Sequence, residues 1–431
     1  MQDSFIIEGG TRLQGTVTAS GNKNAATKLL PACILTDQPV ILHNIPNIAD
    51  VRVALAILRD LGAEVTDLGA GSWRIHAAHI HKTQIDFQLA SQSRASFVFS
   101  GPMLARLGHV TLPIPGGDVI GGRPLDTHIQ GLHALGVHVE LNPQRNGFQM
   151  DADPLVGGGY ILQAEASVTA TENTLMAAVL ADGETFIDNA ACEPHVQDLC
   201  HFLNSLGAKI EGVGSNRLKI QGVENLGGGE FRIGSDFMEV GSFIGAAAVT
   251  GGSIRIQNAD PHYMGMIRLV YEKLGVTWEV EGNDIIVPAN QSLDIQAALS
   301  GRILEIKPHP WPGFPPDLMS ILVVLATQGN GSVLLHDWMY ESRFFFVDKL
   351  TFMGARITIC DPHRVIVQGP SRLSANPHGV TSPDIRAGMA MVLAALCAEG
   401  TSTIHNIHQI DRGYERIEEK LTALGANIKR V

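Results

Sequence analysis

Four clusters of residues carry groups able to do chemistry. The first, Ser20-Gly21-Asn22-Lys23-Asn24-Ala25, stands directly before a helical run. Ser20 or Asn22 can cap that helix, whose free N–H groups favour an anion, and Lys23 adds a full positive charge at the same end. A lysine there also serves as an ordinary solvated charge. The second, Pro115 to Pro124, has four glycines between Gly116 and Gly122 and carries one acid, Asp118, and one base, Arg123. So little conformational restraint suits either a lid over a substrate or a mobile hairpin whose charges keep it soluble. In the third, Pro310, Pro312, Pro315 and Pro316 fix an extended segment that delivers Asp317 to the start of an apolar helix expected over Leu318 to Ala326. Asp317 can act there as an N-cap or, rigidly presented, as a general base. The fourth is a set of arginines at corresponding places in the chain, Arg343, Arg386 and Arg412. Arg386 heads a stretch otherwise uncharged to Cys397, so its guanidinium needs a buried carboxylate, for which Asp384 or Asp411 is at hand, or an anionic ligand.

The elements that must position these groups repeat along the chain. A Leu-Gly-Ala-like ending to an amphipathic helix occurs at Leu61, Leu135, Leu206, Leu274, Met353 and Leu424, spaced by 74, 71, 68, 79 and 71 residues. The glycine supplies a left-handed C-terminal cap, and a β-rich run follows. Upstream of several endings lies an almost uncharged segment, as in Asn173 to Leu180, Val240 to Thr250 and Ile385 to Cys397. A helix apolar on every side must be buried on every side. Six copies predict two domains of three units each, with buried helices surrounded by sheets, in an α/β or α+β fold. The boundary is expected between the third and fourth copies, near Gly227 to Ser235; Gly157 to Gly159 and Gly227 to Gly229 read as turns.

Composition narrows the function. The 431 residues predict more than one domain, and the net charge of −12 argues against nucleic acid or an anionic membrane surface as partner. No apolar run is long enough to span a membrane, and the start lacks a signal peptide's basic and apolar regions, so a cytoplasmic location is expected. The five cysteines lack metal-ligand spacing and read as buried thiols, and the 17 histidines, including His79, His81, His405 and His408, have no partners at ligand spacing. No metal site is expected.

Together, the Gly-Asn-Lys-Asn-Ala start, the Pro-Gly-Gly-Asp-Val-Ile-Gly-Gly-Arg-Pro-Leu-Asp loop over 115–126, Ala166 to Thr171, Glu193-Pro194, the Phe-Pro-Pro-Asp segment, Asp384 to Ala387 and Asp411 to Ile417 resemble the enolpyruvyl transferase family, in particular its UDP-sugar branch. The resemblance runs in order from the first strand to Val431. It implies two inside-out α/β barrels of three repeats, here 22–234 and 1–21 with 235–431, with the active site in the cleft between them. It also implies transfer of the enolpyruvyl group of phosphoenolpyruvate to the 3-hydroxyl of UDP-N-acetylglucosamine with release of phosphate, for peptidoglycan synthesis, without cofactor or metal.

Site roles follow from the resemblance alone. Lys23, Arg123 and Arg412 hold phosphoenolpyruvate, with Arg343 and Arg386 completing the basic site. Asn24, Arg94, Arg123, Pro124, Leu125, Asp126, Thr127, Ser167, Val168, Glu193 and Asp317 line the UDP-sugar site, and Asp317 takes the sugar hydroxyl proton. Lys23, Asp118 and Asp317 are the catalytic set. Most members carry cysteine where this chain has Asp118; a carboxylic acid still passes a proton, but it is a far poorer nucleophile than a thiolate, which implies insensitivity to the epoxide fosfomycin. Ala49 replaces a usual basic residue, Pro316 a usual threonine, and a usual glutamine is missing from Asp317 to Ser320, where Met319 stands. The alternative readings are an enolpyruvyl transferase of secondary metabolism with another nucleotide or nucleotide-sugar acceptor, and a non-catalytic UDP-sugar-binding paralogue; the shikimate-pathway relative fits the 116–126 loop poorly.

Overall fold

A computed structural model describes residues 3–116, 122, 124–142, 147–152, 154–298 and 300–431. They form two compact units, one built mainly from 21–116 and 124–234, the other from the N-terminal residues to Ser20 together with Ser235–Val431. The N-terminal residues belong with the C-terminal half because Ser4–Glu8 and Gln14–Thr18 complete sheets there.

Each sheet of the C-terminal unit repeats one plan, a parallel pair followed by two antiparallel pairings. Gln14–Thr18 lies parallel to Ser253–Gln257, then Asp284–Val287 and Glu279–Glu281 follow. Leu304–Ile306 lies parallel to Gly331–His336, then Arg364–Gly369 and Arg356–Asp361. Val380–Thr381 lies parallel to Thr401–His405, then Ser4–Glu8 and Asn427–Arg430. The N-terminal unit uses the same order in two sheets, starting from Gly229–Arg232 with Val40–His43 and from Gly159–Leu162 with Glu184–Asp188. Its third sheet, His109–Pro113 with Gly147–Asp151 and His138–Asn142, keeps only a parallel bridge from Gln84 to Thr111 in place of the first strand.

The helices lie inside. In the C-terminal unit Phe237–Thr250, Met319–Gln328 and Ile385–Cys397 pack on one another, each backed by its own sheet, and every residue from Ile385 to Leu396 is buried. Amphipathic helices close the repeats, and the glycines after them, Gly62, Gly136, Gly207, Gly275, Gly354 and Gly425, all have φ between 77° and 108°. A side chain with a Cβ resists that conformation, which is why the six endings share a glycine. The sixfold repeat and the α/β class are therefore as the sequence predicts.

Some boundaries differ. The helix expected to begin at Asn173 begins at Val168, because Thr171, Glu172 and Asn173 are themselves buried. Gly159 and Gly229 open strands instead of lying in turns, and the apolar run after Asp317 starts with a 3₁₀ turn, Pro316–Leu318. Cys33, Cys192 and Cys200 are buried, but Cys360 is exposed on the edge strand Arg356–Asp361 and Cys397 is half-buried at the end of its helix. Among the described residues no helix is long and apolar enough to cross a membrane.

Candidate active site

The repeat makes the chemistry of the C-terminal unit visible by contrast. Asp236 and Asp384 precede the buried helices Phe237–Thr250 and Ile385–Cys397 and cap them, each accepting from two backbone N–H groups. Asp317 occupies the corresponding approach to the third helix, Met319–Gln328, but lies inside the 3₁₀ turn and is not the cap. Its carboxylate accepts instead from Arg343 Nη2 at 3.1 Å and from Arg386 Nε at 2.9 Å. Both guanidiniums are buried, whereas the Asp317 side chain is 30% exposed. The N-cap reading of Asp317 is thus replaced by an ion-paired carboxylate at the edge of the core, backed by two cations.

Each arginine is held from behind. Arg343 Nε lies 3.5 Å from the carboxylate of Asp337, which is wholly buried and also accepts from the backbone N–H groups of Met339 and Tyr340 at 3.0 Å. Burial pushes the Asp337 carboxyl above the usual range while Arg343 opposes the rise. The Tyr340 ring stacks 5.0 Å from the Arg343 guanidinium and the Tyr414 ring 5.3 Å from that of Arg386. Such faces stabilise a cation without neutralising it. Arg386 therefore does need a carboxylate, and it is Asp317; Asp384 caps the helix and also acts on Arg343, and Asp411 pairs with Arg430 at 2.7 Å. Arg412, at the end of the 3₁₀ turn Ile407–Arg412, is half-buried and donates to Gln409 Oε1 at 3.0 Å.

In the N-terminal unit Asn22, not Ser20, caps the helix Lys23–Ala32 by accepting from Ala25 N–H at 3.0 Å. Lys23 is no solvated surface charge: its Nζ lies 2.9 Å from Asp50 Oδ2, with both side chains largely covered. Asp50 sits in the first turn of the helix Ala49–Leu61, where a carboxylate suits the helix dipole, and Ala49 leaves the cation at that turn to Lys23. Asn24 is half-buried beside Lys23, and Arg94 opens the 3₁₀ turn Arg94–Phe99. Pro124 and Asp126 are exposed, Leu125 is half-buried, and Thr127 is buried with its hydroxyl 3.4 Å from Glu165 Oε1. Ser167 and Val168 are half-buried at the start of the helix Val168–Ala178, and Glu193 precedes the helix Pro194–Ser205. Asp118 and Arg123 lie outside the described residues. Pro316 is half-buried, but Met319 is wholly buried in the core, so its side chain is a packing group and not a pocket group.

Asp337, Lys28 and Glu172 are buried charges that the sequence reading did not single out, and Lys28 Nζ lies 3.5 Å from Glu172 Oε2. Glu172 is the one charge between Glu165 and Asp182 in an otherwise buried helical run, the same signal that singles out Arg386. Among the described residues no group of three His, Cys, Asp or Glu is placed to hold a metal ion.

The geometry agrees with relationships across the whole chain. The family model described as EPSP synthase (3-phosphoshikimate 1-carboxyvinyltransferase) matches residues 7–421. The UDP-N-acetylglucosamine 1-carboxyvinyltransferase of Bradyrhizobium diazoefficiens is 52% identical over 427 residues, covering 99% of this chain and 98% of that protein. The protein of the same name from Borreliella burgdorferi is 52% identical over 428 residues, covering 99% of both. In fold, the crystal structure of the enolpyruvyl transferase NikO from Streptomyces tendae matches with a TM-score of 0.88 at 23% identity, covering 100% of this chain and 99% of that one. With a family match across nearly its entire length and relatives at half identity, the chain belongs to the EPSP synthase family of enolpyruvyl transferases.

Proposed function

We propose that this enzyme transfers the enolpyruvyl group of phosphoenolpyruvate to the 3-hydroxyl of UDP-N-acetylglucosamine and releases phosphate, a cytoplasmic step of peptidoglycan precursor synthesis. The observation that carries the reading is the Asp317 carboxylate seated on two buried guanidiniums, Arg343 and Arg386. A base and an anion site share one edge of the core there. Asp317 takes the proton of the sugar hydroxyl as its oxygen attacks C2 of the enol, while C3 gains a proton. The tetrahedral phospho-ketal then loses phosphate from C2 and a proton from C3, which restores the double bond. Lys23, Arg123, Arg343, Arg386 and Arg412 meet the phosphate and carboxylate charges, and such fixed cations are worth most where charge builds up in the transition state. Asn24, Arg94, Pro124, Leu125, Asp126, Thr127, Ser167, Val168 and Glu193 are assigned to the UDP-sugar.

Release of inorganic phosphate from phosphoenolpyruvate tests the reading when measured with a panel of acceptors. Turnover with UDP-N-acetylglucosamine is expected. Turnover only with shikimate 3-phosphate or another nucleotide would replace the acceptor, and none with any acceptor would leave a binding protein.

Asp118 takes the place of the usual loop cysteine and is assigned the proton transfer to C3 or to the leaving phosphate. Fosfomycin acts on cysteine-bearing relatives by epoxide opening on the thiolate, and a carboxylate is a far weaker nucleophile. The enzyme is expected to retain full activity after incubation with the drug, whereas Asp118→Cys is expected to stay active and become sensitive. Mass spectrometry decides between outcomes: a covalent adduct on the unaltered protein, or none on an active Asp118→Cys variant, overturns the placement of Asp118.

A further inference from the structure

The buried pair Lys28–Glu172 has no place in the mechanism above, and stability does not explain it. Glu172 is 0% exposed, and neither of its carboxylate oxygens accepts a hydrogen bond among the described residues. Its charge is met by Lys28 at 3.5 Å, a separation that leaves the pair ionic but not hydrogen-bonded. Buried pairs with such geometry recover little of what desolvation costs, and apolar residues of similar volume do as well or better. The fold therefore keeps two charges that its core does not require.

Their positions suggest the reason. Lys28 stands one helical turn after Asn24 in Lys23–Ala32, and Glu172 one turn after Val168 in Val168–Ala178. Both helices pack on the 3₁₀ turn Arg94–Phe99 and on the helix Pro194–Ser205, and the ion pair links them directly. Further polar contacts lie close by. Asn173 accepts from Gly101 N–H at 2.7 Å and donates to Ser100 Oγ at 2.8 Å, a close approach possible because a Cβ on Gly101 would lie 2.3 Å from the Asn173 carbonyl oxygen. His128 Nε2 lies 2.9 Å from Thr169 Oγ1. Polar contacts fix direction where apolar packing tolerates rotation and slip.

We infer that Lys28 and Glu172 are positioning residues, an ion pair that holds the first turns of two helices in register so that Asn24 on one and Ser167 and Val168 on the other meet the UDP-sugar together. This rests on the function proposed above. Glu172 faces Lys28 from the helix Lys23–Ala32, and Glu193 and Cys200 from the segment 193–205. Nearby, His128 feels both Arg94 and Lys28. Burial pushes the Glu172 carboxyl up to about 7, with Lys28 opposing the rise. The pair is thus lost as pH falls below neutrality.

Steady-state kinetics at pH 8 on Glu172→Gln, Lys28→Met and the apolar double variant Lys28→Met/Glu172→Met, each with its melting temperature, test the inference. In all three, KM for UDP-N-acetylglucosamine is expected to rise about tenfold with kcat within roughly threefold of the parent, the split that marks lost ground-state binding. The double variant is expected to melt no lower than the parent. In the parent KM rises from pH 8 to pH 6, and in Glu172→Gln that rise is absent. A stable double variant whose KM stays within about twofold of the parent shows that the pair only packs the core, and so does an unchanged pH profile in Glu172→Gln. If the parent itself fails to turn over UDP-N-acetylglucosamine, the proposed function falls. UDP-sugar affinity by calorimetry then reads the pair separately: equal affinity in parent and double variant overturns it.

Discussion

Asp317→Asn is expected to lower kcat by roughly 10²-fold or more while UDP-sugar binding persists, because asparagine keeps the size and loop position but cannot accept the hydroxyl proton. The substitution also changes what the two arginines face. Arg343 keeps Asp337 at 3.5 Å, whereas Arg386 keeps the Tyr414 ring but loses the carboxylate it faces, so a lower urea midpoint is expected beside the loss of activity. Turnover measured where the variant remains folded separates the two effects. In the proposed reaction phosphoenolpyruvate brings its own anionic oxygens to this basic site, which gives the arginines that hold Asp317 a second partner during turnover. A variant whose kcat holds while only KM weakens would make Asp317 a substrate ligand and assign the base elsewhere.

How much of this was legible in the sequence depends on the range of the forces involved. The six Leu-Gly-Ala endings were readable because a left-handed cap is a local requirement, and six copies in one chain of this length suggested two sets of three. Arg386 was readable because a lone charge in a buried helix must be compensated. Its partner was not, since Asp317 lies 69 residues away in sequence and Asp384, two residues away, was the nearer candidate. The same distance hid the ion pairing of Asp317. A carboxylate before an apolar helix is usually a cap, as Asp236 and Asp384 are, and only the 3₁₀ turn made by Pro315 and Pro316 moves Asp317 off that position. Lys23 looked like a surface charge because its pairing with Asp50 depends on two helices meeting. The resemblance of whole motifs supplied what no spacing rule could, the substrates proposed above.

Lys23 gives the second large effect, and its pairing dictates how the test must be built. Lys23→Ala is expected to abolish turnover, because the ammonium is proposed to meet phosphoenolpyruvate charge at the head of a helix whose N–H groups already favour an anion. That variant also removes from Asp50, whose side chain is only 7% exposed, the ammonium that lies 2.9 Å away. Removing one partner of a buried pair costs about 3–5 kcal/mol, enough for inactivity to be mistaken for unfolding. The double variant Lys23→Met/Asp50→Val removes both charges with little change in buried bulk, and apolar replacement of a buried pair is often neutral or stabilising. It is expected to melt near the parent temperature and still to release no phosphate. Arg412→Ala is expected to show the same inactivity, and its melting temperature, read beside the activity, separates lost anion binding from lost stability; Arg412 is half-buried and donates to Gln409. A folded double variant with activity near that of the parent would make Lys23 a structural partner of Asp50 and move the anion site off this helix.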